Sequence, residues 1–246
     1  MAEFDRPTIA AARAGTAAAI DQGLRSYMLK VYNYMTVGLV VTGLVAYGAF
    51  AMAFDQTGLT AFGEAIYVSP LRWVIMLAPL AFVLVLSFGI AKLSTGTAQL
   101  LFWAFAAVMG LSLSSIFAVY TGGSIAKVFF ITAGTFGAMS LYGYTTKRDL
   151  TQIGSFLIMG LIGLVIASVV NIFLQSDGLG FAISIVGVLV FVGLTAWDTQ
   201  KIKESYDESH GAELLAKGAI MGALSLYLDF INLFLMLLRL FGNQRN

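Results

Sequence analysis

The stretch Ala219-Ile220-Met221-Gly222-Ala223-Leu224-Ser225-Leu226-Tyr227-Leu228-Asp229-Phe230-Ile231-Asn232-Leu233-Phe234-Leu235-Met236-Leu237-Leu238-Arg239-Leu240-Phe241 decides the fold. It meets the requirement of about 20 mostly apolar residues for a helix that crosses a bilayer. A single acid, Asp229, stands inside it. About ten residues of apolar helix precede it and about a dozen follow, which puts it roughly 15 Å in, near the midplane. An ionised carboxylate there costs several kcal/mol or more, so it must be paired, protonated or facing water. Ser225, Asp229, Asn232 and Arg239 are spaced by 4, 3 and 7 and share one helix face. Lipid offers that stripe no partners, so it is expected to point into a bundle.

Six further stretches read the same way: Val31–Phe54, Trp73–Ala91, Ala98–Val119, Ile125–Tyr142, Ile153–Leu174 and Phe181–Asp198. Together with the last they use more than half of the 246 residues and leave no long polar segment for a second domain. The composition agrees. Hydrophobic residues make up 59% and charged residues 11%, against about a quarter charged in soluble proteins. So few charges exclude a disordered chain and cannot clothe one soluble domain. With no cysteine there is no disulfide scaffold, thiolate metal site or cysteine nucleophile, and one histidine cannot build a multi-histidine centre. The net charge of +1 gives no case for nucleic acid. Barrel strands alternate apolar with polar residues, and the run Ile183–Val192 has no sustained alternation. The expected fold is therefore all-α: a polytopic seven-helix membrane bundle over residues 31–246, preceded by a segment, residues 1–30.

Residues 1–30 carry Glu3, Asp5, Arg6, Arg13, Asp21, Arg25 and Lys30, and no apolar region of a cleavable leader precedes Val31. The alanine-rich part, Thr8–Leu29, fits a helix lying along the membrane surface, while Met1–Ala10 reads equally well as a solvated tail. With seven spans, ten of the 14 basic residues fall on the N-terminal side. They are Arg6, Arg13, Arg25, Lys30, Lys92, Lys147, Arg148, Lys201, Lys203 and Lys217. Arg72, Lys127, Arg239 and Arg245 fall opposite. This asymmetry places the N-terminus in the cytoplasm and the C-terminus outside. Small residues four apart, Ala133/Gly137 and Gly163/Ala167, are read as close helix contacts, and Pro79 as a kink in the second span.

Asp198 ends the sixth span in Thr195-Ala196-Trp197-Asp198-Thr199-Gln200-Lys201. The sixth and seventh helices are antiparallel neighbours. Counting from the outer end puts Asp198 about 26 Å along its helix, roughly 10 Å nearer the cytoplasm than Asp229. A shift of a few residues in either boundary closes that gap. Two carboxylates that meet in low dielectric cannot both ionise cheaply, so they share a proton in a short hydrogen bond. Losing the proton leaves repulsion, or an oxygen site for a hard cation such as calcium. The alternative for Asp198 is an interfacial residue that caps its helix or pairs with Lys201 or Lys203. Lys92, at the end of the second span, either snorkels to the interface or latches an aspartate. His210, in a polar loop, reads as exposed.

At these residues the sequence resembles the Bax inhibitor-1 family, also called the transmembrane Bax inhibitor motif family, in its bacterial branch. The likeness is carried by Val31-Tyr32-Asn33-Tyr34-Met35, Ala98-Gln99-Leu100-Leu101-Phe102, Gly110–Phe117, Gly143-Tyr144-Thr145-Thr146-Lys147-Arg148-Asp149-Leu150, Trp197–Ile202 and Leu226–Phe234. It covers about Asp21 to the C-terminus. The resemblance implies a last helix surrounded by the other six. It also implies a pH-sensitive calcium leak governed by a two-aspartate sensor, matched here by Asp198 and Asp229. Family members also regulate other membrane proteins, including membrane-bound proteases and stress responses. One departure is that the family often has an arginine near the end of the second helix that can engage the sensor. Here the basic residue is Lys92, which lacks the planar bidentate fork.

Three functions are thus on the table. The first is a pH-gated leak for calcium or another cation, without enzymatic activity and with no cofactor beyond calcium as the transported ion. Its sensor and tentative calcium ligands are Asp198 and Asp229, with Ser225, Asn232, Arg239 and Lys92 as supporting polar groups. The second is a non-transporting regulator of a membrane-bound protease or stress response. The third, an intramembrane aspartyl protease, is weaker, because Leu226-Tyr227-Leu228 precedes Asp229 and no Pro-Ala-Leu segment follows. A retinal receptor is weaker still, since the last helix has no lysine for a Schiff base in its apolar stretch.

Overall fold

The computed structural model describes residues 6–56 and 58–245, with side chains described from residue 21 onward. Seven long helices carry the apolar stretches: α1 (Arg6–Ala53), α2 (Leu71–Gly89), α3 (Thr95–Leu113), α4 (Gly122–Thr145), α5 (Thr151–Leu174), α6 (Asp177–Glu204) and α7 (Ala212–Phe241). All seven are long and apolar enough to cross a membrane, so the protein is an all-α polytopic membrane bundle. Helices are what lipid permits, because each satisfies its own backbone hydrogen bonds. α1 runs without a break from the alanine-rich segment into the first span. Of the expected solvated tail, residues 1–5 lie outside the described residues.

The third span does not run unbroken. α3 stops at Leu113, and a short helical turn, Ile116–Val119, follows Ser114 and Ser115. The Ser114 hydroxyl donates to the Leu111 carbonyl at 2.6 Å and accepts from the Tyr67 hydroxyl at 2.9 Å. A serine that bonds back to its own turn competes with the helical ladder. At the same end, a two-residue hairpin pairs β1 (Phe54–Asp55) with β2 (Gly58–Leu59). Gly58 takes the positive φ of 125° that this turn requires. The C-terminal tail closes over this end. Thr121 N–H donates to the Asn243 carbonyl and Arg245 N–H to the Val119 carbonyl.

α7 is the centre of the bundle. It packs against α6 most extensively, then against α1, α4 and α3. Tyr227, Leu226, Leu233 and Ala223 on α7 are fully buried. One buried hydroxyl ties three helices. Thr42 Oγ1 on α1 lies 2.9 Å from the Gly38 carbonyl, 2.8 Å from the Ala106 carbonyl of α3 and 2.6 Å from the Tyr227 hydroxyl of α7. Carbonyls only accept, so Thr42 gives its proton to one of them and Tyr227 donates to Thr42.

Of the small-residue pairs read as helix contacts, Ala133 and Ala167 pack against the core, but their glycine partners meet no neighbour. A Cβ added at Gly137 or Gly163 would find nothing within 4 Å. Small residues permit a close approach without causing one, and Gly137 instead opens on a cavity lined by Met28, Tyr32 and Phe136. The close approach lies elsewhere, where a Cβ at Gly143 of α4 would collide with the Ala196 carbonyl of α6.

Candidate functional site

The α6–α7 seam fixes what Asp198 and Asp229 can reach. Along it, Ile202 lies against Gly222 and Met236 against Gly187, an antiparallel register that brings the two acids into the same stretch. Each Cα–Cβ bond leans toward its own helix N-terminus. In antiparallel neighbours the two carboxyls therefore lean toward each other. α6 also extends to Glu204, six residues past the point where sequence reading ended it. The gap of about 10 Å expected from counting is absent, and the two carboxyls lie close enough to share a hydrogen bond across the seam. Such a bond requires a proton on one of them.

The pair is asymmetric. Asp229 is 5% exposed, whereas Asp198 is half-buried. Oδ2 of Asp229 is buried and takes no bond from an N–H or hydroxyl donor among the described residues. The Lys201 charge reaches Asp198, but the ammonium sits over the Trp197 ring, 5.0 Å from its centroid. Lys203 points elsewhere, donating to the Tyr144 carbonyl at 2.8 Å. Neither lysine forms an ion pair with Asp198 among the described residues.

Both acids line an open-sided cavity of about 470 Å³ between α5, α6 and α7. Ser225 and Asn232 line it too, and Asn232 Nδ2 donates to the Leu228 carbonyl of its own helix at 2.8 Å. The opposite wall, on α5, is mostly apolar, with Leu161, Leu164 and Val165, and its one hydroxyl there, Ser168, donates to the Leu164 carbonyl at 2.7 Å. Among the described residues no third acid or histidine joins the pair. A calcium ion, which takes 6–8 oxygens, would need water and oxygens from Ser168, Ser225 or Asn232 beside the two carboxyls.

The other two expected supporters are elsewhere. Arg239 is exposed, at the far end of α7, with its guanidinium packed against Gly180 at the start of α6. Ten residues of helix, about 15 Å, separate it from Asp229. Lys92 is exposed in the turn after α2, and does not line the cavity.

Three residues that sequence reading passed over hold Asp198 in place. Gly143 admits the Ala196 backbone, and Gly154 admits the Trp197 indole, so the two residues before Asp198 are gripped by α4 and α5. Gln200 clamps the α4–α5 turn: its Nε2 donates to the Arg148 carbonyl and its Oε1 accepts from Leu150 N–H, both at 2.8 Å. Gly143 and Gln200 lie inside the segments that carry the family likeness. That is the signal that could have found them.

Comparison with known proteins gives one consistent result. The family described as "Inhibitor of apoptosis-promoting Bax1" matches residues 24–246. The chain is 53% identical over 225 residues to the Inner membrane protein YbhL of Escherichia coli K12, covering 91% of this chain and 94% of the relative. It is 51% identical over 228 residues to the protein RP147 of Rickettsia prowazekii, covering 92% and 93%. It is 46% identical over 222 residues to a protein of Borreliella burgdorferi, covering 89% and 93%.

Proposed function

The chain belongs to the Bax inhibitor-1 family, and from that premise we propose that it is a pH-sensitive calcium leak of a bacterial inner membrane, gated by the Asp198–Asp229 pair. The inner-membrane assignment follows the Escherichia coli relative, which is named an inner membrane protein. The basic end of the bundle, with Arg25, Lys147, Arg148 and Lys203, faces the cytoplasm by the positive-inside rule.

The observation that carries the reading is the close approach of the two carboxyls at the wall of a cavity. With a proton between them, the two acids join α6 to α7. Without it, two like charges face each other in a poorly solvated seam, and repulsion favours a different helix arrangement. The same two charges then form an attractive site for a hard divalent cation. The device acts by titration and helix movement, with no bond of a substrate broken, so the reading is of a transporter and not an enzyme.

The test is calcium flux into sealed vesicles holding the purified full chain, measured across pH for wild type, Asp198→Asn and Asp229→Asn. Asparagine keeps a hydrogen-bonding side chain that does not titrate. The expected result is a pH-dependent flux in wild type and a flattened pH profile in each variant. Identical, pH-independent flux in all three would sink the gating role. Absence of flux together with a co-purifying membrane protease would favour the regulator.

A further inference from the structure

A second, larger cavity of about 670 Å³ lies between α1 and α4, away from the aspartates. The two helices stand apart here and, among the described residues, are bridged by one hydrogen bond, between the Tyr32 and Ser140 hydroxyls at 2.7 Å. The groove is lined by Met28, Met35, Leu39, Phe129 and Phe136, with Phe230 of α7 as its floor. It opens sideways toward lipid, because Leu29, Leu141 and Phe129 line it and are themselves exposed.

Its charge is confined to one end. Arg25 lines the groove there, and no acidic residue does. Among the described residues Arg25 forms no ion pair. Lys203 adds a second cation at that end. Its Nζ sits 2.8 Å from the Tyr144 carbonyl and 5.2 Å from the centroid of the Tyr144 ring, which itself lines the groove. From Arg25 to Leu39 the groove follows 14 residues of α1, about 21 Å of helix. One leaflet of hydrocarbon is about 15 Å deep. The groove is therefore long enough for an acyl chain with its headgroup emerging beside Arg25.

We propose that the α1–α4 groove binds one anionic glycerophospholipid from the leaflet at the basic end, with its phosphate at Arg25 and one acyl chain running inward to Phe129 and Phe230. Charge complementarity selects the occupant. An anionic headgroup meets Arg25 and Lys203, whereas a zwitterionic one brings its own ammonium toward them. The Tyr32 and Ser140 hydroxyls pair with each other, so the chain passes them at little desolvation cost. This site does not depend on the leak, and its test does not measure flux.

The test is native mass spectrometry of the full chain in mild detergent with equimolar phosphatidylglycerol and phosphatidylcholine. Wild type is expected to hold one phosphatidylglycerol with a preference of about fivefold per contributing cation. Arg25→Gln is expected to reduce that preference by about fivefold. Gly137→Phe fills the groove at a position where an added Cβ meets nothing within 4 Å, and is expected to hold neither lipid. Circular dichroism and thermal melting check that both variants are folded. If Gly137→Phe does not fold, the exposed Arg25→Gln decides. Equal retention of the two lipids by wild type would overturn the proposal. So would phosphatidylglycerol retention unchanged in a folded Gly137→Phe, or a polypeptide found in the groove in place of lipid.

Discussion

α5 and α7 are opposite kinds of membrane helix. α5 is the most apolar of the seven spans, yet only 6% of its 18-residue apolar stretch is buried within the protein. α7 carries Ser225, Asp229 and Asn232, and 67% of its corresponding stretch is buried. A soluble protein would arrange them the other way. In a bilayer the solvent is as apolar as leucine, so burial of apolar surface does not drive helices together. Polarity, which lipid rejects, marks the interior instead. The cavity holding the aspartates lies where these two helices face each other.

The comparison breaks most sharply if a charge is moved from one helix to the other. Ile162 lies mid-α5 and is 55% exposed. Ile162→Asp is expected to cost about 2.5–3.5 kcal/mol of insertion free energy, read as loss of folded protein in the membrane fraction. Yield equal to wild type would mean that this face of α5 does not meet lipid. Next in size is Gly143→Val, which drives a branched side chain into the Ala196 backbone. Overpacking of this kind costs about 1–3 kcal/mol, seen as a lower Tm in detergent. Because Ala196 lies two residues before Asp198, the pH profile of flux should shift as well.

A smaller loss, about 1–2 kcal/mol, is expected for Gln200→Leu, which leaves the Arg148 carbonyl and Leu150 N–H without their partner. An unchanged Tm would show that water replaces both bonds. The smallest stability effect belongs to Asp229→Asn, within about 1 kcal/mol of wild type, since the amide retains hydrogen-bonding capacity. A large drop in Tm for this variant would make Asp229 a structural group first. Stability unchanged with a flattened pH profile would separate its role from that of Gly143 and Gln200.

The spans were legible because the bilayer imposes a length and an apolarity that few other structures share. Asp229 was legible for the same reason, as a charge in the wrong solvent. Its partnership with Asp198 was not, because counting along two helices from uncertain ends carries an error as large as the gap it measures. The supporting stripe was legible only in part. Ser225 and Asn232 line the cavity, but Arg239, on the same helix face, ends at Gly180. The α5 wall left no signal, since Leu161 and Leu164 facing the cavity read like Ile162 facing lipid.

Glycine gives the clearest division between the two sources of information. Gly137 and Gly143 lie six residues apart on α4, and the first opens on a groove while the second touches Ala196. The sequence by itself determined the solvent, the number of crossings and the one carboxyl that could not be left alone. Only the tertiary structure decided which small residues make contact and where the α6–α7 seam sets its register. Span formation answers to each segment's own transfer free energy. Register is settled by side chains from two helices fitting one another, which neither segment carries alone.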